Sequence, residues 1–283
     1  MRLPRLLTNP IRRLRPRVGG RMRRQMRLPD GVRVYAIGDV HGRADLLRIL
    51  LGRIQSDLES RPVEECILVY LGDYVDRGAD SKGVIDLLIK GPPFEAETHF
   101  LKGNHEDALL SFMEDPGFLR MWRDYGGMET LASYGVKVPG DGVGEEWIRE
   151  VHKQFTDNLP LTHLAFLQGL ELSYSKGDFG FVHAGVRPGT AFENQQAADL
   201  LWIRDPFLAS KRNHGKIIVH GHTPQEQPVI KKNRLGIDTG AYITGSLTAA
   251  VIEGTTFRFL QARKPRLRVL PGMVQAKTAA AGE

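Results

Sequence analysis

The first half of the chain repeats one order three times: an apolar run, a glycine-containing polar cluster and an amphipathic helical pattern. The apolar runs cover residues 32–37, 67–71 and 98–101, and the helical patterns cover residues 44–58, 84–89 and 105–113. Successive strand–helix units are typical of a mostly parallel sheet, because parallel strands need a long crossover connection. The order therefore predicts an α/β fold.

The second half of the chain is rich in short strands rather than in strand–helix units. Apolar runs that are separated by turn residues predict strands at residues 170–174, 179–183, 217–219, 229–230, 235–237, 247–252 and 256–260. Between the two halves, residues 116–165 are polar and interrupted, which indicates a helical insertion. We expect two sheets that pack as a β-sandwich and are flanked by helices.

The composition is that of a globular protein. With 283 residues, of which 41% are hydrophobic, the chain can bury a large core without disulfides. The single cysteine, Cys66, excludes a disulfide framework and a thiolate zinc site. No apolar run approaches the length of a transmembrane segment and no secretory signal pattern is visible, so we expect a cytoplasmic protein.

Positive charge is concentrated at the N-terminus. The net charge of the chain is +6, yet residues 1–29 contain ten arginines and no acidic residue, so residues 30–283 carry −4. We expect residues 1–29 to be a disordered arm, which is either an inert tail or a segment that contacts RNA, anionic lipid or an acidic partner. The main domain is predicted at residues 30–265, followed by a frayed tail at residues 266–283.

Five of the predicted strands end in polar clusters that a solvated loop would not need. The clusters are Gly38-Asp39-Val40-His41-Gly42, Gly72-Asp73-Tyr74-Val75-Asp76-Arg77-Gly78, Gly103-Asn104-His105-Glu106, Val182-His183-Ala184-Gly185 and Val219-His220-Gly221-His222-Thr223-Pro224. Ligands of open α/β sheets bind beyond the carboxyl ends of the strands. We therefore expect the five clusters to meet in one cleft.

The residue types in these clusters suit borderline divalent ions such as Mn, Fe or Zn, which histidine and oxygen donors bind. Asp39 and His41 are two residues apart, so on an extended segment both side chains point the same way and can hold one ion. Asp73 has two carboxylate oxygens and can bridge to a second ion. The remaining predicted ligands of the second ion are Asn104, His183 and His222. Two ions close together can bind a phosphoryl group and lower the pKa of a bridging water.

Each predicted ligand also has an ordinary structural alternative. Asp73 could cap a helix, Asn104 could belong to a turn, and His183 could be a packed histidine. The joint occurrence of these residues at strand ends favours the metal site. We interpret His220 as a strand-end neighbour of His222. Structural or surface roles are expected for the remaining histidines His99, His152, His163 and His214.

The five clusters resemble the signature motifs of the calcineurin-like metallophosphoesterases. The similarity is greatest to the phosphoprotein phosphatase branch, which includes bacterial serine/threonine protein phosphatases and symmetrical diadenosine tetraphosphatases. It covers roughly residues 32–262 and leaves the basic arm outside. The resemblance implies a two-sheet fold of that family and a hydrolase in which two metal ions activate a water molecule.

The resemblance also implies a role for each matching residue. The first ion is expected on Asp39, His41 and Asp73. The second ion is expected on Asp73, Asn104, His183 and His222. Arg77, together with Asn104, is expected to bind the phosphate group. Residues 201–206 are similar to a family loop that carries a second phosphate-binding arginine, which makes Arg204 the candidate.

In the same family, the counterpart of His105 protonates the leaving oxygen while it is paired with the counterpart of Asp76. Electrostatics supports these roles independently. A guanidinium such as that of Arg77 pairs bidentately with phosphate, and beside two dications it needs an anion nearby. A carboxylate at Asp76 would favour the imidazolium form of His105, which suits a general acid. The alternatives are a surface pair of Arg77 with Asp76 and a helix-terminal His105 without function.

We therefore expect a metal-dependent phosphomonoesterase, with a serine/threonine protein phosphatase as the leading hypothesis. The alternative is a hydrolase of diadenosine tetraphosphate or of another small phosphoester. The same metal core serves both, so the insertion at residues 116–165 has to select the substrate. Its aromatic residues could stack on a nucleobase or form the core of the insertion. These residues are Trp122, Tyr125, Tyr134 and Trp147.

Overall fold

The computed structural model describes residues 26–137 and 144–264. Its strands are β1 (Val32–Ile37), β2 (Glu65–Tyr70), β3 (Glu97–Phe100), β4 (Ser173–Lys176), β5 (Phe179–Val182), β6 (Ile217–His220), β7 (Val229–Ile230), β8 (Arg234–Gly236), β9 (Ser246–Glu253) and β10 (Thr256–Arg263). Its helices are α1 (Ala44–Ser60), α2 (Ser81–Lys90), α3 (Asn104–Glu114), α4 (Leu119–Asp124), α5 (Gly127–Ser133), α6 (Glu145–Asn158), α7 (Leu161–Gln168), α8 (Ala197–Trp202), α9 (Asp205–Leu208) and α10 (Ala241–Thr244). The predicted arm up to residue 25 and the predicted tail lie outside the described residues.

The strands form two five-stranded sheets. In the first sheet, with the order β10-β9-β1-β2-β3, the three N-terminal strands are parallel, and β9 pairs antiparallel with both β1 and β10. In the second sheet, with the order β4-β5-β6-β8-β7, the central pairs are parallel and both edge pairs are antiparallel. The predicted α/β fold with two sheets and flanking helices is therefore confirmed.

Apolar side chains on the two faces of each sheet divide the molecule into layers, because side chains alternate along a strand. In β1, Val34 and Ala36 face the second sheet, where they belong to one buried cluster with Phe181. Tyr35 and Ile37 face the opposite way and pack with the helices outside the first sheet. A third cluster lies between the second sheet and α8–α9. The order of layers is thus helices, sheet, sheet, helices.

Most predicted elements match observed ones to within a few residues. Helix α2 begins after Asp80, whose carboxylate accepts a hydrogen bond from Gly83 N at 2.9 Å, and it ends at Gly91, which has a φ of 83°. The strand predicted at residues 170–174 begins only at Ser173. Residue Glu171 instead forms an isolated bridge with Leu101.

The predicted insertion consists of helices α4–α7 and of a short 3-10 turn at Pro116–Phe118. It packs into the main core rather than onto a core of its own. The ring of Trp122 lies 5.0 Å from that of Phe112 in α3, and Phe155 of α6 lies 5.9 Å from both rings. The described part of the insertion therefore packs against α3.

The described residues that precede β1 also contact the body of the protein. Arg27 N donates a hydrogen bond to Asp178 Oδ2 at 2.7 Å, and Leu28 N donates one to Gly254 O at 3.0 Å. The Leu28 side chain is fully buried between the sheets. The stretch from residue 26 onward is therefore anchored to the second sheet and to the hairpin of the first.

A buried ionic network around Asp57 of α1 makes the stability of the fold sensitive to low pH. The Asp57 carboxylate accepts a hydrogen bond from Tyr35 Oη at 2.6 Å and a charged one from Arg258. Burial alone would raise the pKa of Asp57, but the hydroxyl and the guanidinium outweigh it and hold this pKa below its ordinary value. Because the folded state lowers the pKa, the stabilisation is present above about pH 4 and is lost as the pH falls.

We expect Asp57→Asn to cost about 3 kcal/mol of unfolding free energy at pH 7, because it breaks a buried charge network. The difference from the parent protein should shrink as the pH falls below about 4, where the unfolded parent takes up a proton. Urea unfolding of chelator-treated protein across this range measures both quantities. A difference that stays constant with pH would show that the carboxylate charge is not involved.

Candidate active site

The six predicted metal ligands come together at one edge of the two sheets. They follow the carboxyl ends of β1, β2 and β3 in the first sheet and of β5 and β6 in the second. All six side chains are buried: Asp39, His41, Asp73, Asn104, His183 and His222. Potential ligand atoms converge in two groups, and the Asp73 carboxylate belongs to both. This is the arrangement that a carboxylate bridging two ions requires.

The first group contains Asp73, His41 and His105, whose potential ligand atoms lie within 4.8 Å of one another. His41 Nδ1 lies 2.9 Å from the Val75 carbonyl oxygen, so this nitrogen carries the proton and donates it. His41 Nε2 therefore presents its lone pair, and it lies 3.5 Å from Asp73 Oδ2. A hydrogen-bonded distal nitrogen is the usual support of a metal-binding histidine.

The second group contains Asp73, His183 and His222, with Asn104 between the histidines. His183 Nδ1 donates to the Leu71 carbonyl at 2.8 Å, which leaves a lone pair on Nε2. That nitrogen lies 2.9 Å from Asn104 Oδ1 and 3.3 Å from Asp73 Oδ1, and both of these atoms are acceptors. Lone pairs that face one another in a buried site repel unless a cation lies between them.

Asp39, which is predicted to hold the first ion, belongs to neither of these two groups but lies beside His222. Its Oδ2 atom accepts a hydrogen bond from His222 N at 2.9 Å, whereas Oδ1 is buried and has no hydrogen-bond partner among the described residues. A Cβ atom at Gly221 would lie 1.9 Å from Asp39 Oδ1, so only glycine leaves room for the carboxylate. A buried carboxylate oxygen without a donor fits a metal ligand.

The ionisation states fit metal binding as well. Burial lowers the pKa of His41 to about 3 and that of His222 to about 2, so both imidazoles are neutral. Neutral histidine is the form that binds metals. Burial, reinforced by the charges of Asp238 and Asp73, raises the pKa of Asp39, since several carboxylates share one buried site. Divalent cations would relieve this repulsion.

The backbone at the site is strained. Among the described residues, a positive φ occurs at non-glycine positions only at His41, Asp73, Asp76, Arg77 and His222. Each of these belongs to the predicted site. Such conformations persist where the surrounding structure holds them in place, and they concentrate at functional sites.

Glu106 holds the loop that carries Asp73. Its Oε2 atom accepts hydrogen bonds from Gly103 N and Asp73 N, each at 2.9 Å. Its Oε1 atom accepts them from Tyr74 N at 2.7 Å and Val75 N at 3.2 Å. Burial raises the pKa of Glu106 to about 7, with a contribution from the charge on Asp73. The sequence motif contained this residue, but its role became visible only from these contacts.

Beside the ligand groups, Arg77 and His105 face a cavity of about 260 Å³. His105 Nδ1 lies 2.6 Å from Asp76 Oδ2, while Nε2 lies 3.4 Å from Arg77 Nη2 and 3.8 Å from Asp73 Oδ2. Burial alone would lower the pKa of His105, but the carboxylates of Asp73 and Asp76 raise it above its ordinary value. His105 is therefore suited to hold a proton at the cavity.

Arg204 lines the same cavity, and its Nη1 atom donates to Thr223 Oγ1 at 3.3 Å. It is exposed, and its carbonyl accepts hydrogen bonds from Phe207 N and Leu208 N in the turn that begins α9. The two arginines predicted from the sequence, Arg77 and Arg204, thus line one cavity together with several of the predicted ligands.

Comparison with known proteins decides the family. A family profile described as calcineurin-like phosphoesterase matches residues 32–252. The chain belongs to the calcineurin-like phosphoesterases. It is therefore a metallophosphoesterase, a hydrolase of a family that depends on a dinuclear metal centre, and the described residues contain histidine and aspartate groups able to hold metal ions.

Relatives of this phosphoesterase carry two different names. The asymmetrical bis(5'-nucleosyl)-tetraphosphatase PrpE of Anoxybacillus flavithermus is 28% identical over 232 residues, which cover 75% of this chain and 87% of the relative. Serine/threonine-protein phosphatase 1 of Salmonella typhimurium is 28% identical over 238 residues, which cover 78% and 92%. A crystal structure of a candidate diadenosine tetraphosphatase shares the fold, with a TM-score of 0.54 and 20% identity over 86% of this chain and 97% of that chain.

Two further residues of the phosphoesterase line the cavity and were not predicted. Tyr242 on α10 accepts a hydrogen bond from Arg77 Nη1, and its ring lies 4.8 Å from the guanidinium carbon. Asp238 is buried beside Asp39, and burial raises its pKa to about 6. Neither residue lies in a glycine–histidine cluster, so the sequence pattern gave no signal for them.

The histidines outside the ligand groups have other contacts. His220 Nε2 lies 3.1 Å from Arg234 Nη1 and its Nδ1 lies 3.1 Å from Gly221 O, so it packs away from the metal ligands. His163 of the insertion bridges the Tyr134 hydroxyl and Asp86 of α2. The other three, His99, His152 and His214, contact carboxylate, carbonyl or amide groups away from the cavity.

The insertion aromatics divide into two groups. Trp122 and Tyr134 are buried in the core, and Trp147 on α6 lies 5.9 Å from the Arg123 guanidinium, away from the cavity. Only Tyr125 of the four predicted residues lines the cavity, next to Trp202 at a ring separation of 5.7 Å. No helix in the described part of this phosphoesterase combines the length and hydrophobicity needed to traverse a bilayer.

Proposed function

We propose that this protein is a phosphomonoesterase of the serine/threonine protein phosphatase type. The observation that carries the proposal is the buried pair of His105 and Asp76 beside Arg77 at the cavity. An alkoxide leaving group from serine or threonine is strongly basic and needs a proton as the P–O bond breaks. The pair supports such a donor, since His105 is flanked by the carboxylates that favour its protonated form.

The remaining side chains at the cavity would bind the phosphate group. Arg77 and Arg204 both line the cavity, and guanidinium groups pair with phosphate oxygens. The Asn104 amide lines the same cavity and contacts His222 of the second group. Together they would hold the phosphorus with the leaving oxygen toward His105, so that orientation as well as charge lowers the barrier.

The ligand groups would hold two divalent ions, with manganese expected first and iron or zinc as alternatives, because the donors are nitrogen and oxygen without thiolate. Asp39, His41 and Asp73 would hold one ion. Asp73, Asn104, His183 and His222 would hold the other. When bound, the ions supply a nucleophilic water and neutralise phosphate charge. Activity that is removed by a chelator and restored by manganese supports this assignment, whereas chelator-resistant activity contradicts it.

A second candidate is hydrolysis of dinucleoside tetraphosphates or other small phosphoesters. It is favoured by the aromatic pair of Tyr125 and Trp202 at the cavity, where Trp202 is 37% exposed and could stack on a base. The names of several relatives point the same way. Comparing kcat/KM for phosphoserine peptides with that for diadenosine tetraphosphate discriminates between the two candidates.

The proposed proton donor predicts a selective defect. We expect His105→Asn to lower kcat/KM for a phosphoserine peptide by roughly 10²-fold, because the alkoxide then departs without a proton. The loss on p-nitrophenyl phosphate should be much smaller, since the phenolate is a weak base. His163→Asn serves as the matched control, because His163 is buried away from the cavity. Equal losses on both substrates would contradict the role of His105.

A further inference from the structure

The Asp76 carboxylate is held by donors that come from the helical insertion. Asp76 is fully buried, and its Oδ2 atom accepts a hydrogen bond from Trp122 Nε1 of α4 at 2.9 Å as well as from His105. Its Oδ1 atom accepts one from Thr130 Oγ1 of α5 at 2.7 Å. The side chain that faces the proposed proton donor is thus oriented by two residues of the insertion.

The contact with Thr130 is reciprocal. Asp76 N donates to Thr130 Oγ1 at 2.8 Å and lies 3.1 Å from Ser81 Oγ, while Thr130 Oγ1 lies 2.9 Å from Ser81 Oγ. Asp76 has a φ of 70°, which is unfavourable for a residue with a side chain. One hydroxyl of the insertion therefore holds both the strained backbone of Asp76 and one oxygen of its carboxylate.

We propose that Thr130 and Trp122 are positioning residues for the pair of Asp76 and His105. The insertion then has a second role besides shaping the substrate opening: it fixes the acid that assists departure of the leaving group. This inference rests on the proposed function of His105. Thr130 and Trp122 touch neither the cavity nor the ligand groups, so they act through Asp76.

The physical reason lies in the rotation of the carboxylate. A buried carboxylate with one oxygen unpaired turns toward other donors or loses its charge, because an unsatisfied charged acceptor is costly in the interior. Without Thr130 Oγ1, Oδ1 of Asp76 would have no hydrogen-bond donor among the described residues. The backbone N of Asp76 would keep the Ser81 hydroxyl as acceptor. Loss of the Thr130 hydroxyl should therefore disturb mainly the orientation of the Asp76 carboxylate and of the His105 imidazole that it contacts.

Thr130→Val tests the inference, because valine keeps the shape of threonine and removes the hydroxyl. We expect kcat for a phosphoserine peptide to fall roughly tenfold, as for loss of one charge-assisted hydrogen bond, with a much smaller change for p-nitrophenyl phosphate. The inhibition constant of inorganic phosphate should not change, since phosphate binding does not use the acid. Thr130→Ser, which restores the hydroxyl, should recover the activity.

Thr248→Val is the matched control. Thr248 is equally buried, and its hydroxyl bonds to Thr239 Oγ1 at 2.8 Å and to Gln261 Nε2 at 2.9 Å. Thr248→Val should lower the melting temperature. Any change in its kcat should be the same for the phosphoserine peptide and for p-nitrophenyl phosphate. If Thr130→Val does not fold, Trp122→Phe, which removes the other donor and keeps an aromatic ring, should give the same selective loss.

Three outcomes would overturn the inference, and they are distinguishable. If His105→Asn is selective for the basic leaving group whereas Thr130→Val and Trp122→Phe are not, the insertion residues are structural and the proposed function stands. If His105→Asn itself affects both substrates equally, the acid role fails and the inference fails with it. Equal leaving-group dependence in Thr248→Val would also contradict a specific role for Thr130.

Discussion

Replacement of Asp73 by alanine is expected to lower kcat/KM by at least roughly 10³-fold, because one side chain contributes to both ligand groups. Its two oxygens face different histidines: Oδ2 lies 3.5 Å from His41 Nε2, and Oδ1 lies 3.3 Å from His183 Nε2. Loss of any other predicted ligand would remove a donor from one group only. Asp73→Ala should therefore give the largest activity defect of any single substitution among the ligands.

Metal content measured by elemental analysis after gel filtration makes the test specific. Asp73→Ala should retain less than one ion for each chain under conditions in which the parent retains two, while circular dichroism stays unchanged. Asp57→Ala is the control: it removes a buried carboxylate of α1 that is not a predicted ligand, and it should lower stability without lowering metal content. An Asp73→Ala protein that keeps two ions would contradict the bridging role.

Replacement of Glu106 by glutamine should have the largest effect on stability, about 4 kcal/mol of unfolding free energy. Each carboxylate oxygen accepts two backbone N–H groups, and glutamine would turn an NH₂ group toward one of these pairs. A buried N–H group that loses its acceptor costs about 2 kcal/mol, so loss of two accounts for the expected value. Because the same N–H groups belong to the loop of Asp73, kcat should fall as well.

Urea unfolding of the metal-free protein measures the stability term without the contribution of bound ions. Glu65→Gln is the matched control, since Glu65 pairs with Lys176 near the surface and should cost less than about 1 kcal/mol. Were Glu106→Gln to cost no more than Glu65→Gln, the loop would have to be held by contacts other than this carboxylate.

The sequence could predict that the six proposed ligands lie together, because the signal for each of them is local. Asp39 and His41, for example, lie directly after a strand, and no apolar core position explains them. Parallel strands bring their carboxyl ends to one edge, so residues at the ends of separate strands can be placed together without knowledge of the fold in detail. The arrangement of helices and strands in the first half follows from hydrophobic periodicity for the same reason.

What the sequence could not predict depends on contacts between distant segments. Tyr242 reaches Arg77 from the four-residue helix α10, which is too short to leave a periodic pattern. Trp122 was interpreted as a core or stacking residue, and only its buried contact with Asp76 reveals a polar function. The hairpin of β9 and β10 joins the first sheet rather than the second, a pairing that strand patterns alone do not determine.

The five non-glycine residues with a positive φ at the site affect how the sequence can evolve. Each of these conformations lowers the free energy of unfolding by roughly 1 kcal/mol or more. Together they lower it by an amount comparable with the whole stability of a typical domain. Glycine would relieve most of that strain at any of them. A descendant that no longer needs catalytic activity could therefore gain stability through single substitutions at these positions. The present residues persist only while selection for activity opposes those substitutions.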